Sequence, residues 1–112
     1  MRSETFDVHS RFCGPPRSAN GGYVCGRIAK YLPGAASVRL KAPPPIEVEL
    51  RVESTEVEAR LFHESALIAE ARRAALDLAP PAAPSYAEAE KASKSYIGFT
   101  NHAFPRCFVC GP

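Results

Sequence analysis

Residues 12–34 read FCGPPRSANGGYVCGRIAKYLPG, and the segments on either side are best understood from the helix that this stretch encodes. Ser18 and Asn20 are residue types that cap helix N-termini, because a short side-chain oxygen can accept from an unsatisfied first-turn N–H. Val24, Ile28 and Leu32 then recur every four residues, Ala29 and Tyr31 widen the apolar stripe, and Arg27 and Lys30 mark its wet flank. Pro33-Gly34 ends the pattern, since the residue before a proline is pushed out of helical geometry and glycine tolerates positive φ. The spacing predicts a long helix from Asn20 to Leu32. A double glycine at its start, Gly21-Gly22, costs about 1 kcal/mol per residue against alanine. That cost makes sense if something must approach the backbone there. First-turn N–H groups, backed by the helix dipole, suit a carbonyl oxygen or an anion. A plain flexible entry to a core helix explains the glycines equally well.

Working outward, Thr5 to Phe12 (TFDVHSRF) places Phe6, Val8, Ser10 and Phe12 on one side and predicts a short strand, with a turn at Cys13–Pro16. After the helix, Ala36 to Lys41 alternates with Val38 and Leu40 inward. The run Pro43-Pro44-Pro45 cannot donate ladder hydrogen bonds and so ends that strand or bulges an edge. Ile46 to Glu53 (IEVELRVE) alternates four apolar with four charged residues, the pattern of a strand with one face on a core and one in water. Its outer set, Glu47, Glu49, Arg51 and Glu53, serves solubility better than acid–base chemistry. Glu56 to Phe62 alternates again and forms a hairpin with it across Ser54-Thr55.

At Ala66 to Ala79 (ALIAEARRAALDLA) two rules conflict. Intrinsic propensity favours helix, whereas the meander before it and the short His63–Ser65 link favour a third antiparallel strand. Tertiary context overrides propensity often enough that a long strand is expected. Pro80–Pro84 breaks it. Ser85 to Ser93 carries the capping-box pattern, with Glu88 three residues after Ser85, and predicts a short exposed helix. The tail, Tyr96 to Pro112, is aromatic and irregular and resembles the end of a cut chain. Phe12-Cys13-Gly14-Pro15 is echoed there by Val109-Cys110-Gly111-Pro112.

With 112 residues, 46% of them hydrophobic, the chain holds one domain with a tail. The expected division is a domain over residues 1–95 and a tail over 96–112. A domain this small buries only about two-thirds of its unfolded surface, so a partner subunit would help. A net charge of +2 with interspersed signs argues against a nucleic-acid groove. No apolar run approaches a membrane span, and Met1-Arg2-Ser3-Glu4 opens no signal peptide. The four cysteines then read as thiols in a cytoplasmic protein.

Cys107-x-x-Cys110 with His102 offers three zinc ligands, but a single CxxC lacks the second half of a structural site. A redox CxxC normally opens a helix, and Gly111-Pro112 argues against that. Cys13 and Cys25 read as small buried apolar residues, and His9 and His63 as turn or surface histidines. A Cys13–His9 hydrolase dyad is the weakest of these alternatives.

The order of a strand, a capped Gly-Gly helix and a meander resembles the hotdog fold, an α+β architecture in which a curled antiparallel sheet wraps one long central helix. More narrowly, the chain resembles the first half of a double-hotdog protein of the acyl-CoA thioesterase superfamily. The residues that carry the resemblance are Gly14-Pro15-Pro16, Asn20-Gly21-Gly22-Tyr23 with Gly26, Val38-Arg39-Leu40 before the prolines, and the tail from His102 to Pro112. It implies a second hotdog unit beyond Pro112 and an acyl-CoA thioester site at the helix N-terminus, between two units. The thioester carbonyl would face backbone N–H groups from Gly21 to Tyr23, an oxyanion hole. Asn20 would bind the carbonyl or orient water, so Asn20 and Gly22 are the catalytic candidates, and Asn20, Gly21, Gly22 and Tyr23 the substrate-binding ones.

Such hydrolysis usually also needs a carboxylate, yet Asn20 to Leu32 contains no Asp or Glu. Glu64 at the turn and Asp77 late in the long strand are the only non-alternating candidates. Two functions stay open: an acyl-CoA thioesterase whose carboxylate comes from a second unit, or a non-catalytic hotdog module that binds acyl groups or builds an oligomer. A hydratase lacks its usual Asp/His dyad here. A homo-oligomer is expected, with no cofactor and no resident metal.

Overall fold

The computed structural model describes residues 1–112 as an α+β fold with one five-stranded antiparallel sheet. The strands are β1 (Arg2–Phe6), β2 (Ala36–Leu40), β3 (Leu50–Ser54), β4 (Glu58–His63) and β5 (Ala66–Arg73). Their spatial order is β1-β3-β4-β5-β2, so the chain leaves β1 at one edge, forms helix α1 (Gly21–Ala29), and returns as β2 at the other. The meander β3-β4-β5 fills the space between those edges. A second helix, α2 (Tyr86–Ser93), follows β5 and stays exposed along its whole length.

Alternation builds the core. Leu50, Val52, Ala59, Leu61, Ala69 and Ala71 face α1, which sets Val24 and Ile28 against them, and all eight are fully or almost fully buried. Alanines on β4 and β5 matter because α1 lies across β2, β4 and β5; small side chains let the helix backbone approach. Between Leu61 and Phe62 the β4–β5 register slips, so Leu61 faces Ala69 while Phe62 faces Leu67. Ile68 is the extra residue, and its carbonyl accepts from Lys41 N–H at 2.8 Å, fastening the end of β2. The outer face carries opposed charges: Glu70 lies across from Arg60 and Arg39, and its carboxylate pairs with Lys41 at 2.9 Å.

Four expectations are corrected in their bounds. The helix is not long: α1 has nine residues, after which Tyr31 and Leu32 donate to carbonyls three residues back, a tighter turn that closes at Gly34 with φ of 79°. Leu32 nevertheless stays buried, so the apolar stripe of Val24, Ile28 and Leu32 faces the core as expected. The first strand lies at Arg2–Phe6 rather than Thr5–Phe12, because Ser10–Phe12 coils into a 3-10 turn. The third begins at Leu50 rather than Ile46, because Glu47 takes a left-handed backbone (φ 56°) and donates its N–H to Val8 O. β5 is a strand as expected, but it stops at Arg73 and leaves Ala74–Ala79 exposed.

Candidate functional site

The loop that delivers Asn20 to the start of α1 is held by main-chain bonds. Cys13 and Ala19 form an isolated antiparallel bridge; Asn20 N–H donates to Phe12 O at 2.8 Å, and Gly14 N–H to Ser18 O at 2.9 Å. Ala19 N–H donates to Pro44 O at 2.8 Å. The proline run therefore anchors the helix entry as well as ending β2. Asn20 is the N-cap: its Oδ1 accepts from Tyr23 N–H at 2.9 Å, and its carbonyl from Val24 N–H at 3.1 Å. The N–H groups of Gly21 and Gly22 are left as first-turn donors with no acceptor in the chain.

The two glycines have different reasons. A Cβ on Gly21 would come within 2.9 Å of Leu40 Cδ1, so close packing of α1 on β2 accounts for it. A Cβ on Gly22 would meet only Asn20 Oδ1 at 3.4 Å, and Gly22 is exposed. Space above the helix start is therefore Gly22's.

The tail returns to this point, which sequence reasoning missed. Phe108 N–H donates to Cys13 O at 2.7 Å, Cys13 Sγ to Arg106 O at 3.2 Å, and Asn20 Nδ2 to Cys107 Sγ at 3.4 Å. Tyr23 stacks on Phe12 at 4.5 Å between centroids, and the Phe108 ring meets both edge-on at 4.8 and 5.9 Å. Arg27 Nη1 donates to the Tyr23 hydroxyl at 3.0 Å. The only sequence signal for this docking was the repeated Cys-Gly-Pro, whose two copies border the strip where Phe108 meets Cys13.

Both polar atoms of Asn20 are thus committed, one to the helix and one to Cys107. The Cys107 sulfur also accepts from the Cys110 N–H at 3.4 Å. These donors, Cys110 first, hold the Cys107 thiol down to about 7 and push that of Cys110 up. Burial raises Cys25.

The other candidates are not brought together. No three of the chain's His, Cys, Asp and Glu side chains are placed to hold a metal ion; His102 Nε2 turns to the Cys110 carbonyl instead. His9 Nδ1 accepts from Arg11 N–H while Cys13 Sγ turns to the tail, so no dyad forms. Glu64 sits with φ of 53° in the β4–β5 turn and Asp77 in the exposed segment after β5. Neither makes a hydrogen bond or ion pair, and no carboxylate contacts Asn20. The main clefts lie elsewhere, with none lined by Asn20, Gly21, Gly22 or Tyr23.

The chain matches no protein-family model, no curated protein and no solved structure. No helix is long and apolar enough to cross a membrane.

Proposed function

We propose that the chain is a hotdog unit of the acyl-CoA thioesterase kind, which binds acyl-CoA thioesters at the N-terminus of α1. Support for the fold comes from the strand order β1-β3-β4-β5-β2 with a helix between the two edge strands. The observation that carries the site is the pair of unpartnered N–H groups on Gly21 and Gly22, one of them beneath open space. Two preorganised donors at a helix start stabilise a carbonyl oxygen, and more so as it gains negative charge. The Phe12–Tyr23–Phe108 cluster supplies an apolar wall beside them. Asn20 acts by fixing the first turn, its Oδ1 accepting from Tyr23 N–H and its Nδ2 donating to Cys107 Sγ.

With no carboxylate at the site, the chain alone binds thioester without hydrolysing it; turnover requires a carboxylate from a second hotdog unit. Titration with short, medium and aromatic CoA esters beside free CoA tests this. Saturable binding that depends on the acyl group, with negligible thiol release, is expected. Binding of free CoA as tight as any ester would overturn it.

A non-catalytic assembly module is the second reading, and exposed area favours it. A compact 12.1 kDa monomer exposes about 6,000 Å², whereas this chain exposes 8030 Å². Much of the excess lies in residues 72–97, exposed throughout, and this reading has a second unit cover part of it.

A further inference from the structure

Gly111-Pro112 deny the Cys107–Cys110 pair a helix of its own, but the fold lends it the start of another. Cys107 is buried against the α1 N-cap, where Asn20 Nδ2 reaches its sulfur at 3.4 Å. Cys110 is exposed, and its N–H lies 3.4 Å from the same sulfur. The five-residue turn is closed by Gly111 N–H donating to Cys107 O at 2.9 Å, and a Cβ on Gly111 would press on that carbonyl at 2.6 Å. Tight turns of this kind bring Cα atoms within about 7 Å, the range a disulfide spans. One thiol is thus open to reagents while the other waits behind it with its sulfur held by donors that favour thiolate.

We propose that Cys107 and Cys110 are a redox pair that closes reversibly by exchange with low-molecular-weight disulfides. The Cys110 thiolate attacks one sulfur of the disulfide, whose S–S bond breaks to release one thiol and leave a mixed disulfide on Cys110. The Cys107 thiolate then attacks Cys110 Sγ and displaces the second thiol. Two electrons pass from the cysteine pair to the small disulfide, and the two thiol protons leave on the released thiols. Closure turns Asn20's acceptor into a disulfide sulfur, a weaker one, so it loosens the tail on the α1 N-cap. The pair does not depend on acyl-thioester binding.

The test treats the reduced full chain with oxidised glutathione and follows free thiols, intact mass and peptide maps. Two of the four thiols should disappear, with the loss of two hydrogen atoms and a Cys107–Cys110 link, and dithiothreitol should restore all four. Cys107→Ser should instead stop at a stable glutathione adduct on Cys110, since the resolving thiol is gone. A stable adduct in the wild type, a link through Cys13 or Cys25, or four unreacted thiols would each overturn the proposal.

Discussion

Gly26 lies in the middle of α1 with nothing within 4 Å of where a Cβ would stand. Gly26→Ala should therefore stabilise the chain by about 1 kcal/mol, through helix propensity and a less flexible unfolded state. Urea unfolding would read this as a raised midpoint at constant slope, and a lowered midpoint would show that the position is occupied. Cys107 offers a second test. Its thiol is held at about 7 against an ordinary value near 9, so its contribution to tail docking is complete above about 9 and is lost as pH falls through 7. Cys110 is raised, so its contribution runs the other way and is lost in alkaline solution. Docking is then firmest near 9, weakening as pH falls towards 7, and ultraviolet thiolate absorbance should show the Cys107 thiol ionising first. Cys110→Ala should return that thiol towards the ordinary range; four thiols titrating together in the wild type would contradict the arrangement. At this scale Asn20 was legible as a cap because capping is local. Cys107 was not, because its partner Asn20 lies 87 residues away and nothing local encodes that return.

Among the elements, β5 shows most clearly how context beats propensity. Its alanines favour a helix in isolation, yet Ala69 and Ala71 are buried under α1, where their size is what fits. Ala71→Leu should cost about 1–3 kcal/mol by overpacking and lifting the helix, read as a lowered unfolding midpoint. No loss would mean that α1 sits further from the sheet. The exposed helix α2 is the opposite case, because it buries nothing and depends on its capping box. Ser85 Oγ accepts from Glu88 N–H at 3.2 Å, and the Glu88 carboxylate accepts from Ser85 N–H at 2.9 Å. Ser85→Ala should cost this helix about 1 kcal/mol, seen as faster amide exchange within Tyr86–Ser93 with global stability unchanged. Both helices and the meander could be read from periodicity and caps. Strand ends could not, because the left-handed turn at Glu47 and the 3-10 turn at Ser10–Phe12 depend on contacts between distant segments. The Ser10 N–H donates to the Glu47 carboxylate across that gap.

As a whole the molecule is extended. Its radius of gyration is 16.8 Å, where a compact chain of this length has about 13 Å. Together with the excess exposed surface, this predicts a homodimer in which a second copy covers surface that one chain leaves open. Sedimentation at micromolar concentration should show no 12.1 kDa monomer, and a clean monomer would contradict it. The central claim, that thioester binds at the start of α1, is tested most directly by calorimetric titration of an acyl-CoA into wild type and Gly22→Val, with circular dichroism alongside. A branched side chain at Gly22 fills the open space above the free N–H groups while meeting nothing closer than Asn20 Oδ1 at 3.4 Å from its Cβ. The predicted result is saturable binding in the wild type, lost in Gly22→Val with the dichroism spectrum unchanged. Equal affinity in the two proteins, or no binding by the wild type, would contradict it.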